Sequence, residues 1–173
     1  MSTLKGDDID AVEAASNEIQ QLILKPPIRS QLADEIMASF AKLDARFVAV
    51  RSSATAEDSL SAAWAGQLDS FLNTTKDTIV DNVKKCWASL FTPRAISYRL
   101  EKGLANQKIS VAVVVQKMVD SEMSGIAFSV HPVTQDKNNM IIEAGFGLGE
   151  AIVSGQITPD DYTIQKSPLS IIE

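Results

Sequence analysis

A single cysteine, Cys86, stands in the 173 residues, which excludes an internal disulfide. It lies among Val83, Trp87 and Leu90, an apolar setting that marks a buried, inert thiol, and so little cysteine fits a reducing compartment. Histidine is equally scarce. His131 is the only one, so no multi-histidine metal cluster can be assembled, and its place before Pro132 in a loop reads as structural or surface rather than as part of a Ser-His-Asp triad. Basic residues are outnumbered, 16 Lys and Arg against 22 Asp and Glu, for a net charge of -6. Without clustered Lys and Arg, nucleic acid and anionic membranes are poor partners. No apolar run is long enough to span a bilayer, and the opening MSTLKGDDID has no signal-peptide apolar stretch, so a cytoplasmic protein is expected. The glycosylation-like triplet Asn73, Thr74, Thr75 then has no use as an acceptor, and Thr74 or Thr75 is expected to cap the next helix. Internal repeats and low-complexity segments are absent as well.

What is present is a composition 45% hydrophobic, enough to bury a core as one domain or one lobe of a larger one. Asp7, Asp8 and Asp10 precede apolar residues at helical spacing, Val12, Ala15, Ile19 and Leu22, up to Pro26 and Pro27. A second helix is expected from Ser30, with Leu32, Ile36, Phe40 and Leu43 on one face. Beyond a short strand near Phe71, the stripe Ile79, Val83, Cys86, Trp87 and Leu90 predicts a long helix, which Pro93 either kinks or follows with a second one. Arg99 and Lys102, near a helix end, are expected to face solvent. From Ile109 the texture turns to strands, ISVAVVVQKMV, SGIAFSV and NMIIEA, with a last one at residues 162–165. Together they predict an α/β (α+β) fold, a helical layer packed on one small, mostly antiparallel sheet.

The chain is organised around residues 47–67. Phe47, Val48, Ala49 and Val50 read as a strand buried on both faces that delivers Arg51, at its end, into the hydroxyl-rich run Ser52, Ser53 and Thr55. A guanidinium matches phosphate oxygens, and hydroxyls and backbone N–H groups complete a cradle. Glu57 and Asp58 oppose an anion there unless they reach a magnesium ion or pair with Arg51. A strand-end arginine in an ordinary ion pair explains the same residues, and Gly66 offers close backbone approach to a ligand.

Two further places have chemical character. Gln116, Lys117, Met118 and Val119 mix a polar edge with apolar side chains, which suits a planar heterocycle and equally a core strand. The segment GFGLGEAIVSG, residues 145–155, sets three glycines ahead of Glu150 and implies positive φ or close approach. It lacks the spacing of a dinucleotide fingerprint.

Taken together, VAVRSSATAEDS, AWAGQ, FLN, CWASLFTPRAISYR, VVVQKMV, SGIAFSVHPVT and IIEAGFGLGEAIVSGQITPDDY resemble the ATP-grasp nucleotide-binding domain of the phosphoenolpyruvate synthases (pyruvate, water dikinases), shared with pyruvate phosphate dikinase and rifampin phosphotransferase. The resemblance runs from Phe47 to Gln165. It implies a partial ATP-grasp domain over residues 1–173: a helical lead-in at 1–46, a phosphate-binding strand, loop and helices at 47–108, and a sheet with the adenine-side strand at 109–173. It implies that Arg51 contacts ATP phosphates as the catalytic residue, that Gly66 and Ser70 lie along a phosphate-covering loop, and that Gln116 contacts the nucleotide. Backbone groups near Met118 and Val119 would read the adenine edge, and Glu143 and Glu150 are acidic positions in the family's glycine-rich segment. The implied cofactors are ATP and magnesium, with the metal ligands unknown. The implied reaction passes the β-phosphoryl group of ATP to a histidine on a separate domain and on to pyruvate. A rifamycin acceptor and a non-catalytic nucleotide-sensing module are the alternatives. The family's glycine-rich lysine segment, its glutamate and Gln-x-Arg strands and its phosphohistidine segment have no counterpart here. A piece of a larger enzyme is therefore expected, inactive alone and prone to self-association.

Overall fold

Asp8 caps the first helix, α1 (Ile9–Leu24), by accepting a hydrogen bond from the Ala11 N–H at 3.1 Å. The computed structural model to which it belongs describes residues 8–54 and 68–172. Two compact units divide the chain, Met1–Met118 and Val119–Glu173. Among the described residues the first holds α1, α2 (Ser30–Lys42), β1 (Val48–Ala54), β2 (Ser70–Thr74), α3 (Ile79–Ser89), α4 (Pro93–Glu101) and β3 (Val111–Lys117). The second holds β4 (Met123–Phe128), β5 (Asn139–Phe146), the single turn α5 (Glu150–Val153), β6 (Asp160–Lys166) and β7 (Leu169–Ile171).

The helices follow the apolar spacing of the sequence. Pro93 starts a new helix, seated in its first turn with Thr92 as the cap, its hydroxyl accepting from Ala95 N–H at 3.2 Å. The break between α3 and α4 leaves the Phe91 carbonyl free of a helical partner. Ser16 and Gln20 of α1 supply it, donating at 2.7 and 3.2 Å. In return Lys84 of α3 donates to the Leu24 and Pro26 carbonyls, a cation at the C-terminal end of α1 where the helix dipole favours one. Thr74 does not cap α3. It is buried and accepts from Asn82 Nδ2 at 2.8 Å, while Thr78 occupies the capping position. Arg99 does not face solvent either: only 6% exposed, it donates from Nη2 to the Gln107 carbonyl at 3.1 Å, pinning the loop that leads into β3. Its burial pulls the guanidinium pKa down, and its Nε has no hydrogen-bond partner.

The strands form two sheets, where one was expected. In the first unit the order is β2-β1-β3, and in the second it is β4-β5-β6-β7, every pairing antiparallel. β7 and the short α5 were not anticipated. The main core lies in the first unit, where Val48 and Val50 of β1 meet Ile79, Val83 and Cys86 of α3 and Phe40 of α2. Burying each of these branched side chains contributes roughly 1.5–3 kcal/mol. In the second unit Gly145 of β5 permits close packing, since a Cβ there would stand 2.8 Å from Ile157 Cδ1. Gly147 adopts φ 84°, the left-handed region that glycine allows. His131 is structural, its Nδ1 accepting from the Val133 and Thr134 N–H groups at 3.2 and 3.4 Å in a tight turn.

Cys86 is fully buried beneath β1, and this burial, with the Asp69 carboxylate adding to it, pushes its thiol up to about 12 from an ordinary value of 9.0. Because the folded value lies above the unfolded one, the stabilisation is fully present below pH 9 and is lost as pH rises towards 12. The expected result is a thiol silent to a disulfide reagent at pH 8 in the native protein and reactive in urea. Stability should fall over that alkaline window, and less so in Cys86→Ala, as measured by urea unfolding at several pH values.

Candidate functional site

Successive side chains of a strand point to opposite faces, and β1 divides accordingly. Val48, Val50 and Ala54 face the helices and are buried. Arg51 points the other way and is exposed. It is not at the end of its strand but in the middle: the ladder runs on through Ser52, Ser53 and Ala54, which pair with Val113, Ala112 and Val111 of β3. The hydroxyls beside Arg51 are therefore split between faces. Ser52 lies on the helix side and donates to the Asp69 carbonyl at 2.6 Å, which commits it to structure, while Ser53 shares the face of Arg51.

Register then decides what surrounds the guanidinium. Arg51 stands opposite Ser70 on β2 and Val114 on β3, so all three belong to one face. Gln116, two residues beyond Val114 and exposed, is on that face too, and its Oε1 accepts from Arg51 Nη1 at 3.5 Å. The length of this bond makes it a loose tether. Two residues further on, Met118 closes the row. Its N–H donates to the Phe47 carbonyl at 3.2 Å, and its sulfur accepts from the Asn73 N–H at 3.0 Å. With its N–H thus engaged, Met118 has no free backbone donor. Val119 is exposed and begins the second unit.

The first unit thus brings Arg51, Ser70, Gln116 and Met118 to one open sheet face, a cation and neutral donors with an apolar thioether at one end. Gly66, Thr55, Glu57 and Asp58 lie outside the described residues. Val114, an exposed apolar side chain next to Arg51, was missed from the sequence, although the alternation Ala112, Val114, Gln116 marks it. On the other side of β3 a groove of about 470 Å³ is lined by Leu32, Ile36, Phe40, Leu43, Trp87 and Val115. Its apolar walls suit packing rather than a phosphate.

Glu143 and Glu150 belong to the second unit. Glu143 pairs in register with Asp161 of β6, which sets two carboxylates side by side, and Glu150 opens α5. Among the described residues no group of three or more His, Cys, Asp or Glu side chains stands close enough to hold a metal ion, so they form no magnesium cage.

The family described as pyruvate phosphate dikinase, AMP/ATP-binding domain matches the chain over residues 1–173. A probable phosphoenolpyruvate synthase of Archaeoglobus fulgidus is 49% identical over 173 residues, covering 96% of this chain and 23% of that protein. The phosphoenolpyruvate synthase of Pyrococcus furiosus is 44% identical, covering 96% of this chain and 21% of its own length. A rifampicin phosphotransferase of Bacillus cereus is 40% identical, covering 98% and 20%. The chain thus spans between a fifth and a quarter of these relatives.

The two serines on opposite faces provide a test of the placement. Ser52→Ala is expected to cost about 0.5–1.5 kcal/mol by removing the bond to Asp69, whereas the exposed Ser70→Ala should stay within about 0.5 kcal/mol of the parent. Equal losses in denaturant titration would contradict the assigned faces.

Proposed function

The chain belongs to the pyruvate phosphate dikinase AMP/ATP-binding domain family, and on that premise we propose that the open face of its three-stranded sheet binds ATP. Arg51 contacts the phosphates, Ser70 and Gly66 lie along the phosphate-covering segment, and Gln116 contacts the nucleotide. Backbone groups at Met118 and Val119 read the base. The observation that carries the reading is a guanidinium exposed in mid-strand, tethered by a neutral amide rather than by a carboxylate among the described residues, with uncharged groups beside it. Such an arginine keeps its charge for an anion, and its planar donors match phosphate oxygens in pairs.

The protein to which this face belongs is a phosphotransferase of the phosphoenolpyruvate synthase type. In this reading residues 1–173 form part of an ATP-grasp domain, with a helical lead-in at 1–46, the phosphate-binding strand and helices at 47–108 and, within 109–173, the adenine-side strand β3 of the first sheet followed by the strands of the second. It works in the cytoplasm with magnesium bound to the nucleotide. The bond between the α- and β-phosphates of ATP breaks and AMP leaves. The γ-phosphate is released to water as inorganic phosphate, and the β-phosphoryl group is carried by a histidine on another domain, from which it reaches pyruvate. The first relatives, named as phosphoenolpyruvate synthases, favour pyruvate as acceptor. The rifampicin phosphotransferase relative supports the same nucleotide chemistry with a rifamycin acceptor. For such a transfer the contribution of this chain is positioning and charge neutralisation, through Arg51 holding the phosphates in line.

Calorimetric titration of MgATP into this chain, and into a form extended at both ends to the length of the whole domain, tests the reading. Binding by the extended form is expected. Arg51→Ala should weaken it by about 1.5–3 kcal/mol, tenfold or more in Kd, without unfolding the protein. Arg51→Lys should restore only part of that, because a point charge lacks the paired donors. Wild-type affinity in Arg51→Ala would sink the assignment, and no binding by either form would favour a non-catalytic role.

A further inference from the structure

The FLN motif contributes a backbone irregularity that the nucleotide site has so far left unused. Between Val48 and Val50 of β1 the chain advances two residues, while the facing stretch of β2, from Thr74 back to Phe71, advances three. The extra residue makes a β-bulge, and Asn73 within it adopts φ 51°. Asparagine and glycine tolerate that left-handed conformation, whereas β-branched residues do not. Bulges re-aim the groups they carry. Here the Asn73 N–H, at the bulge, donates to the Met118 sulfur at 3.0 Å, the methionine side chain spanning from the end of β3 to β2. Met118 is thereby held twice, by its sulfur and by its own N–H on the Phe47 carbonyl at 3.2 Å. A methionine with free rotors is otherwise adaptable, so this double hold is what gives it a fixed place.

We propose that Asn73 is a positioning residue for Met118, and that the thioether so fixed forms the wall against which the nucleoside end of the ligand rests. The inference builds on the nucleotide reading of this face. Met118 lies two residues beyond Gln116, roughly 7 Å along the strand, while Arg51 serves the opposite, phosphate end. Asn73 itself does not touch the ligand. Its part is to supply a backbone N–H in a direction that a regular strand does not allow.

Two probes separate the ends of the site. ATP has both a base and a triphosphate, and inorganic tripolyphosphate has only the latter. In whichever form binds MgATP in the titration above, Asn73→Val should straighten the bulge, release Met118 and weaken ATP binding about tenfold, with tripolyphosphate binding unchanged. Asn73→Gly keeps the conformation and should bind ATP like the parent, a rescue that loss of the asparagine side chain as such would not produce. Met118→Ala should match Asn73→Val on both probes, and it keeps the test open if Asn73→Val fails to fold. Equal weakening of ATP and tripolyphosphate, or parental ATP affinity in Met118→Ala, would overturn the inference and leave the phosphate reading standing. Absence of ATP binding in the parent would instead overturn the nucleotide reading itself.

Discussion

The burial of Val48 and Val50 against α3 is the constraint from which the site follows. These two side chains are wholly removed from water, and with period two along the strand they leave Ala49, Arg51 and Ser53 no choice of face. A slip of one residue in β1 would bury the Arg51 guanidinium and expose both valines, a cost of several kcal/mol on either count. The direction of the arginine is thus set by its neighbours' hydrophobicity. β3 repeats the device: Val113 and Val115 pack into the core, and Val114 and Gln116 are left on the open side.

Helices were the most legible part of the sequence because their signals are local. The Asp8 cap, the Phe40 stripe and Pro93 in the first turn of α4 each lie within a few residues of what they determine. Sheet membership was less legible, since pairing joins residues far apart. The strand-rich second half read as one sheet, but β3 pairs with β1, more than fifty residues earlier, and β4 to β7 pair among themselves. The polar run after Val50 read as a loop for a different reason. Serines carry a turn-like signal, and only the facing Ala112 and Val113 reveal that Ser52 and Ser53 continue a ladder.

The candidate site was legible as a set of residues and not as a geometry. Arg51, Ser70, Gln116 and Met118 were all identified from motifs, and the structure gathers them on one unit. Ser52 was grouped with Arg51 by adjacency, which in a strand is a reason for separation. Asn73 drew notice as part of a glycosylation-like triplet, whereas it lies inside β2 at a bulge with φ 51°, and its use is tertiary. No local signal says that a bulge residue's N–H will meet the side chain of a methionine at the end of a strand two places away in the sheet.

Two arginines show why position outweighs residue type. Arg99, near the end of α4, was expected in solvent and is instead desolvated, with its guanidinium donating to the Gln107 carbonyl. Burial penalises its charge, and what it returns is a pinned loop ahead of β3. Arg51 sits in the sheet, where an arginine is less expected, yet its charged end stays in water. A buried arginine is costly to recruit for an anion, because its donors are already oriented and its surroundings closed. An exposed one on a rigid strand has its stem fixed by the ladder and its head in solvent. That combination, rigidity from the core side and solvation on the other, separates Arg51 from a buried structural arginine such as Arg99, and it arises from the alternation of a single strand.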